Sequence, residues 1–313
     1  MHEAPSRVLL ANKKINMTIA FLVFGKEILN FQQAIFSILT LLPKIDKNER
    51  VVVITDSPED FKLLSEKIII IEIDKTTLDN WKGQYNFFWR IKIMALQMLA
   101  DKWKNDHILY LDSDTFLFGN LDSIRLNLNA GINMMHTNEG KLSELTTKTE
   151  RAMWKQLKGR TYANITIDSD KCMWNAGVVA IAGTNRDKLD VALKICDEMC
   201  KENVTPRLIE QLALSLAMNE TMNLLPAENE IGHYWGNKKT WNKKINKLLL
   251  NHLMRSLTLE HLIEEVKEMN FEKTPIWVKT SSTKLKLEKR LSKMFPDKMN
   301  LYITSKNQEK PGY

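Results

Sequence analysis

The chain has 313 residues, 44% of them hydrophobic and 27% charged, with a formal net charge of +7 at pH 7. That is enough apolar material for one large domain or a domain with an appendage. Three cysteines (Cys172, Cys196, Cys200) make no disulfide framework, and without a run of about 18 apolar residues no transmembrane helix is expected.

Met1 to Asn16 has no apolar core long enough for a signal peptide and reads as an extension before the first strand, with Met17 as a second possible start. The chain is therefore expected in the cytoplasm, which makes the four Asn-x-Thr sequons (Asn16, Asn164, Asn203, Asn219) chance matches. Ile19 to Phe24 is the first strand, turned by Gly25, and residues 28–42 have helical periodicity up to Pro43. Val51 to Ile54 is the second strand, ending in Thr55-Asp56, and Ser57-Pro58-Glu59-Asp60 reads as a helix start. Ile68 to Ile73 is a third, β-branched strand. A long helix over 86–103 precedes the fourth, Ile108 to Leu111.

A short strand (Gly131 to Met135), a polar helical stretch (Ser143 to Lys158) and the segment Met173 to Ala182, with Asn175-Ala176-Gly177 at its start, follow. Helices are expected at about 187–201 and 207–218, then Asn223 to Pro226 and a loop from Ile231 to Trp241. Continuous apolar strands alternating with helices predict an α/β fold with a doubly wound, largely parallel sheet buried on both faces. Three regions are expected: an extension over 1–16, a main α/β domain over 17–241 and a helical, basic C-terminal region over 242–313.

The charge is uneven. Ten Lys/Arg against four Asp/Glu between Phe271 and Tyr313 carry six of the seven net positive charges. There Leu287, Leu291 and Met294 or Phe295 recur at helical spacing among Lys284, Lys286, Lys289, Arg290 and Lys293. Such a basic amphipathic segment suits an anionic membrane surface, or packs its leucines on the body. Nucleic acid is not an expected partner, because the basic residues lack interleaved aromatics and a reading motif. Cys196 and Cys200, one turn apart on a helix, read as two buried thiols.

Two constellations carry chemistry. Asp112 and Asp114 stand at the end of the fourth strand, where open α/β sheets bind ligands. Two carboxylates there suit Mg²⁺ or Mn²⁺, an ion that neutralises a diphosphate. The second is His233-Tyr234-Trp235-Gly236-Asn237-Lys238-Lys239-Thr240-Trp241. Its imidazole suits Mn²⁺, its glycine admits close backbone approach to an anion, and its lysine offers a charge for phosphate.

The strand ending in Asp112-x-Asp114 resembles the metal motif of GT-A fold glycosyltransferases. His233-x-x-Gly236-x-x-Lys239-x-Trp241 is similar to the C-terminal signature of glycosyltransferase family 8, the group of glycogenin and bacterial lipopolysaccharide galactosyl- and glucosyltransferases. Asn175-Ala176-Gly177 and Glu210-Gln211 are similar to that family's Asn-Ala-Gly segment and Asp-Gln pair, and the matches run in family order from about residue 89 to 241. Thr240 stands where the family usually has proline, Glu210 where it has aspartate, and Phe24-Gly25-Lys26 differs from its usual first-strand ending.

The resemblance implies a GT-A fold and a metal-dependent hexosyl transfer, with retained configuration, from a UDP-sugar to a glycan or lipid-linked acceptor in bacterial surface-glycan synthesis. It implies Asp112, Asp114 and His233 as ligands of Mn²⁺ (or Mg²⁺), and Gly236 and Lys239 on the diphosphate. Asn175 and Ala176 would touch the donor sugar, Gln211 would lie near the anomeric carbon and Glu210 would bind sugar hydroxyls. One of Arg90 and Lys92 would meet the donor, and Asp56 is a further candidate for the nucleoside. Trp154 and Trp235 are candidates to stack on sugar, Trp174 is expected in the core, and Thr137 to Asp170 is either an acceptor-side lid or a surface insertion.

Two alternatives stand beside this reading. A haloacid dehalogenase-type phosphatase also carries Asp-x-Asp after a strand, but needs Thr where Phe116 stands. A non-catalytic nucleotide-sugar or glycan-binding protein would bind UDP without turnover. A nucleotidyltransferase is disfavoured, since no Gly-rich phosphate loop follows the first strand.

Overall fold

The computed structural model describes residues 16–220, 223–278 and 282–296. Nearly all of the expected N-terminal extension, and the chain beyond 296, lie outside the described residues. Of the described residues, those up to Ile276 make one compact unit and those from Trp277 onward another.

The first half runs β1 (Met17–Val23), α1 (Ile28–Leu41), β2 (Glu49–Thr55), β3 (Ile69–Glu72), α2 (Lys75–Trp81), α3 (Arg90–Lys102), β4 (His107–Leu111), β5 (Thr115–Leu117) and α4 (Asp122–Asn129). The middle adds β6 (Met134–Met135), β7 (Asn138–Lys141), α5 (Lys148–Leu157), the hairpin β8 (Thr161–Tyr162) and β9 (Ile165–Thr166), β10 (Cys172–Trp174) and β11 (Val178–Ile181). Then come α6 (Lys188–Lys201), α7 (Ile209–Met218), β12 (Leu225–Pro226), β13 (Ile231–His233), α8 (Lys238–Met254) and α9 (Leu259–Lys267). The second unit holds α10 (Ser282–Met294).

Seven strands form the central sheet in the order β12-β6-β11-β4-β1-β2-β3. All its pairings are parallel except those of β11, which runs antiparallel to β4 and β6. Alternate side chains of each inner strand enter opposite cores. Ala20, Val52, Ile54, Ile108, Tyr110 and Val179 join the layer with α3, α6 and α7. Ile19, Phe21, Val51, Val53, Leu109 and Val178 join the layer with α1, α8 and α9. This is the expected mixed α/β sheet flanked by helices, and its two-sided burial explains strands without polar alternation.

Several local expectations change. The helix expected over 86–103 begins at Arg90, because Asn86 takes a left-handed φ of 51° and Phe87 to Trp89 form an aromatic turn. The stretch after Ser57 is a 3₁₀ helix, Pro58–Leu64. Met173 to Ala182 divides between two sheets: β10 pairs with β7 in a small separate sheet, and Asn175-Ala176-Gly177 turns the chain into β11 of the main sheet. The expected loop from Ile231 to Trp241 opens with β13 and closes inside α8, so a boundary at residue 241 passes through a helix. Trp241, Leu262 and Val266 all lie in the core. The Thr137 to Asp170 region buries Leu142, Met153, Leu157, Tyr162 and Ile167, and is therefore anchored in the body. Trp174 is buried as expected.

No helix among the described residues is long and apolar enough to cross a membrane. In α10, Leu287, Leu291 and Met294 are exposed, as is Phe295 just beyond it.

Candidate metal and ligand site

β4 runs fully buried through the middle of the sheet and delivers Asp112 at its carboxyl end. The Asp112 N–H donates to Gly177 O at 2.8 Å, and Thr115 Oγ1 donates back to Asp112 O at 2.8 Å. The tight turn between them brings Asp114 beside Asp112. β5 then pairs antiparallel with β13, with His233 opposite Thr115, and the Tyr234 N–H donates to Asp114 O at 3.0 Å. This register carries a histidine more than a hundred residues downstream to the carboxylate pair. Ligand atoms of Asp112, Asp114 and His233 all lie within 4.8 Å of one another.

Orientation of the imidazole follows from its neighbours. Asn175 Oδ1 accepts the Gly177 N–H at 3.0 Å and lies 3.1 Å from His233 Nδ1. An oxygen that serves as acceptor there places a ring proton on Nδ1 and leaves Nε2 facing Asp114 Oδ1, 3.4 Å away. Two carboxylates and an imidazole nitrogen this close together form a donor set that fits a divalent ion. His136 packs edge-on against His233 with centroids 5.2 Å apart; burial, with His233 adding to it, pushes its pKa down to about 4, so it is neutral near pH 7. A Cβ on Gly177 would fall 2.2–2.9 Å from three atoms of the His233 ring, so only glycine fits at the end of the Asn-Ala-Gly segment.

Asp114 is buried, which alone would raise its pKa. Contacts with His233 and with Lys238 Nζ at 2.9 Å outweigh burial and hold the carboxyl well below its ordinary range. Lys92, on α3, reaches Asp112 Oδ1, Glu210 Oε1 and Ala176 O, each at 3.1 Å. Burial would lower its pKa, but the two carboxylates raise it further, so the ammonium keeps its proton. For Glu210 burial wins: it raises the pKa against the pull of Lys92. Tyr110 Oη donates to Asp112 Oδ1 at 3.0 Å.

Two cavities meet here. One, about 310 Å³, is bounded by Phe24, Asn30, Phe88, Trp89, Lys92 and Tyr110; the other, about 590 Å³, by Glu139, Thr147, Asn175, Arg207, Gln211, His233 and Trp235. Trp89, Asp112, Asp114 and Lys238 line both.

The remaining candidates divide. Gln211 borders the larger cavity, its Oε1 accepting the Ala176 N–H at 3.4 Å. Glu210 is buried behind Lys92 and lines neither cavity. Arg90 lies two residues before Lys92, on another face of α3. It is bound to Asp197 of α6 at 2.7 and 3.1 Å and to Trp81 O, away from the carboxylates. Asp56 accepts the Gly25 N–H and steadies the turn after β1. Gly236 is half-buried in the turn before α8, and Lys239 is exposed in that helix's first turn. Trp154 packs partly buried against the core.

Two residues were not singled out from the sequence. Glu139 on β7 accepts from Asn175 Nδ2 and Gln211 Nε2, each at 2.9 Å, and so orients both amides. Lys238, not Lys239, pairs with Asp114.

No protein-family model matches the sequence, and no curated protein matches it. Among solved structures, the fold is similar to the galactosyltransferase LgtC in complex with donor and acceptor sugar analogs (13% identity, 82% of this chain and 98% of that one, TM-score 0.48). It is also similar to the apo form of mouse xyloside xylosyltransferase 1 (13% identity, 67% of this chain and 84% of that one, TM-score 0.47). A third likeness is to the mannosyltransferase Ktr4p of S. cerevisiae (13% identity, 72% of each chain, TM-score 0.45). All three lie below a TM-score of 0.5, and the functional reading rests on the chain's own residues.

Proposed function

We propose that this chain is a metal-dependent glycosyltransferase of the GT-A type, similar to family 8, that moves a hexose from a UDP-sugar to a glycan or lipid-linked acceptor with retention of configuration. The observation that carries it is the convergence of Asp112, Asp114 and His233 at the seam of two cavities. Retention is taken from the family resemblance.

Asp112, Asp114 and His233 would hold Mn²⁺ or Mg²⁺, whose charge offsets the negative charge developing on the leaving diphosphate. The aromatic walls of the smaller cavity, Phe24, Phe88 and Trp89, suit a nucleobase. Asn175, Ala176 and Gln211 frame the hexose, with Glu139 fixing the two amides. Trp235, more than half exposed on the larger cavity, offers a stacking face for an acceptor sugar. Lys92 holds Asp112 in place, and Glu210 holds Lys92.

The purified chain with Mn²⁺ is expected to release UDP from one UDP-hexose and to lose this activity in EDTA. No turnover with any donor, alongside UDP binding, would leave the binding-protein alternative.

The setting we infer is cytoplasmic, at the inner face of a membrane during surface-glycan assembly. The exposed Leu287, Leu291, Met294 and Phe295 among the basic residues of α10 support it. Flotation with vesicles should recover the protein on anionic lipid and not on neutral lipid, and equal recovery would count against the contact.

A further inference from the structure

The first residue of α8 carries a charge that the reading above does not use. Lys238 sets its ammonium 2.9 Å from Asp114 Oδ2; its side chain is 47% exposed, that of Asp114 only 5%. It stands at the seam where both cavities share Asp112 and Asp114.

Helix geometry explains why this lysine, and not the next, reaches the site. Trp241 anchors the first turn in the core, stacked on Tyr234 at 4.7 Å, with its Nε1 donating to Pro275 O at 3.1 Å. Asn237 Nδ2 donates to the same carbonyl at 2.7 Å. At about 100° per residue, Lys239 lies roughly 200° around the helix from Trp241 and faces away from the body. Lys238 lies roughly 60° from Trp241 and reaches back over the carboxylates.

Asp114 therefore has two claimants. One oxygen belongs to the triangle with Asp112 and His233 that fits a divalent ion, and the other pairs with Lys238. Two cations on one buried carboxylate repel each other more strongly than they would in water. The flexible lysine stem has an exit, since it is half in solvent and borders both cavities. A diphosphate lodged at the seam would offer the same ammonium a second anion within reach.

We propose that Lys238 is a mobile counter-cation of this site, pairing with Asp114, yielding that carboxylate to the divalent ion and moving its ammonium to the diphosphate of the donor. Lys239 then takes no part in binding the diphosphate. The inference rests on the metal–diphosphate reading of the site.

Paramagnetic resonance titrations of the full chain with Mn²⁺ alone, followed by UDP titrations at saturating Mn²⁺, test it. Lys238→Gln is expected to bind Mn²⁺ more tightly, by up to about fivefold, because a competing ion pair is gone. The same variant should bind UDP about tenfold or more weakly, having lost a charge-assisted hydrogen bond. Lys238→Arg, which keeps the charge, should retain most of the UDP affinity. Unchanged or weaker Mn²⁺ binding in Lys238→Gln overturns the proposal, as does a loss of UDP binding that follows Lys239→Gln instead. A wild type that binds no Mn²⁺ sinks the underlying reading and this proposal with it.

Discussion

Asp114→Asn is expected to lower donor turnover by roughly 100- to 1,000-fold while leaving the fold intact. The substitution keeps the shape of the side chain and removes its charge. What holds the segment survives, because the Tyr234 N–H bonds the main-chain oxygen of residue 114 and β5 stays paired with β13. Lys238 loses its partner but is half-exposed, so water takes over its solvation at little cost in stability. The triangle of Asp112, Asp114 and His233 loses one of its two anionic oxygens, and with it the charge that binds a divalent ion. Mn²⁺ titration and UDP release should therefore fall together, in a chain that still folds. Full turnover in Asp114→Asn, or in the harsher Asp114→Ala, would collapse the metal assignment.

The parts of the site that were legible in the sequence are those set by buried strands. Ile108 to Leu111 is an uninterrupted apolar run, so the position of Asp112 at a sheet edge followed from composition alone. His233 was legible by its spacing to Gly236 and Trp241, although the strand that delivers it is three residues long. What escaped notice depends on direction within a helix or on contact between distant segments. Arg90 and Lys92 share one short sequence, but two residues on a helix span roughly 200°, so they cannot face one ligand. The choice between them was made by Asp197, which binds Arg90, and by Glu210, which binds Lys92. Lys238 and Lys239 posed the same choice, decided by the burial of Trp241. Glu139 sits in Asn138-Glu139-Gly140, with no apolar pattern to announce a strand, and its role arises only where β7 meets β10 and α7. In the stretch from Met173 to Ala182 both halves are apolar, so the sequence does not show that the Asn175-Ala176-Gly177 turn divides them between two sheets.

Lys92→Met is the second large effect, and it falls on stability with a defined dependence on pH. In the native protein the Lys92 ammonium lies between Asp112 and the buried Glu210. Removing one partner of a buried ion pair costs about 3–5 kcal/mol, because the remaining charge is left without compensation. Glu210 can escape that cost by taking up a proton. Its pKa in the folded chain is already raised, by burial first, and Lys92 is the group that pulls it down. Without Lys92 it rises further above the unfolded value. A carboxyl whose folded pKa lies above its unfolded one contributes stability that is fully present below the unfolded pKa. That contribution is lost as pH rises through the folded pKa. Lys92→Met should therefore unfold at a temperature close to wild type near pH 5 and well below it near pH 8. Adding Glu210→Gln should remove most of the difference between the two pH values, since no buried carboxylate then remains to be stranded. A loss of stability in Lys92→Met that is equal at both pH values would assign the cost to lost packing against Tyr110, whose ring Lys92 covers at 5.2 Å. It would also show that Glu210 is not the charge that Lys92 is there to balance.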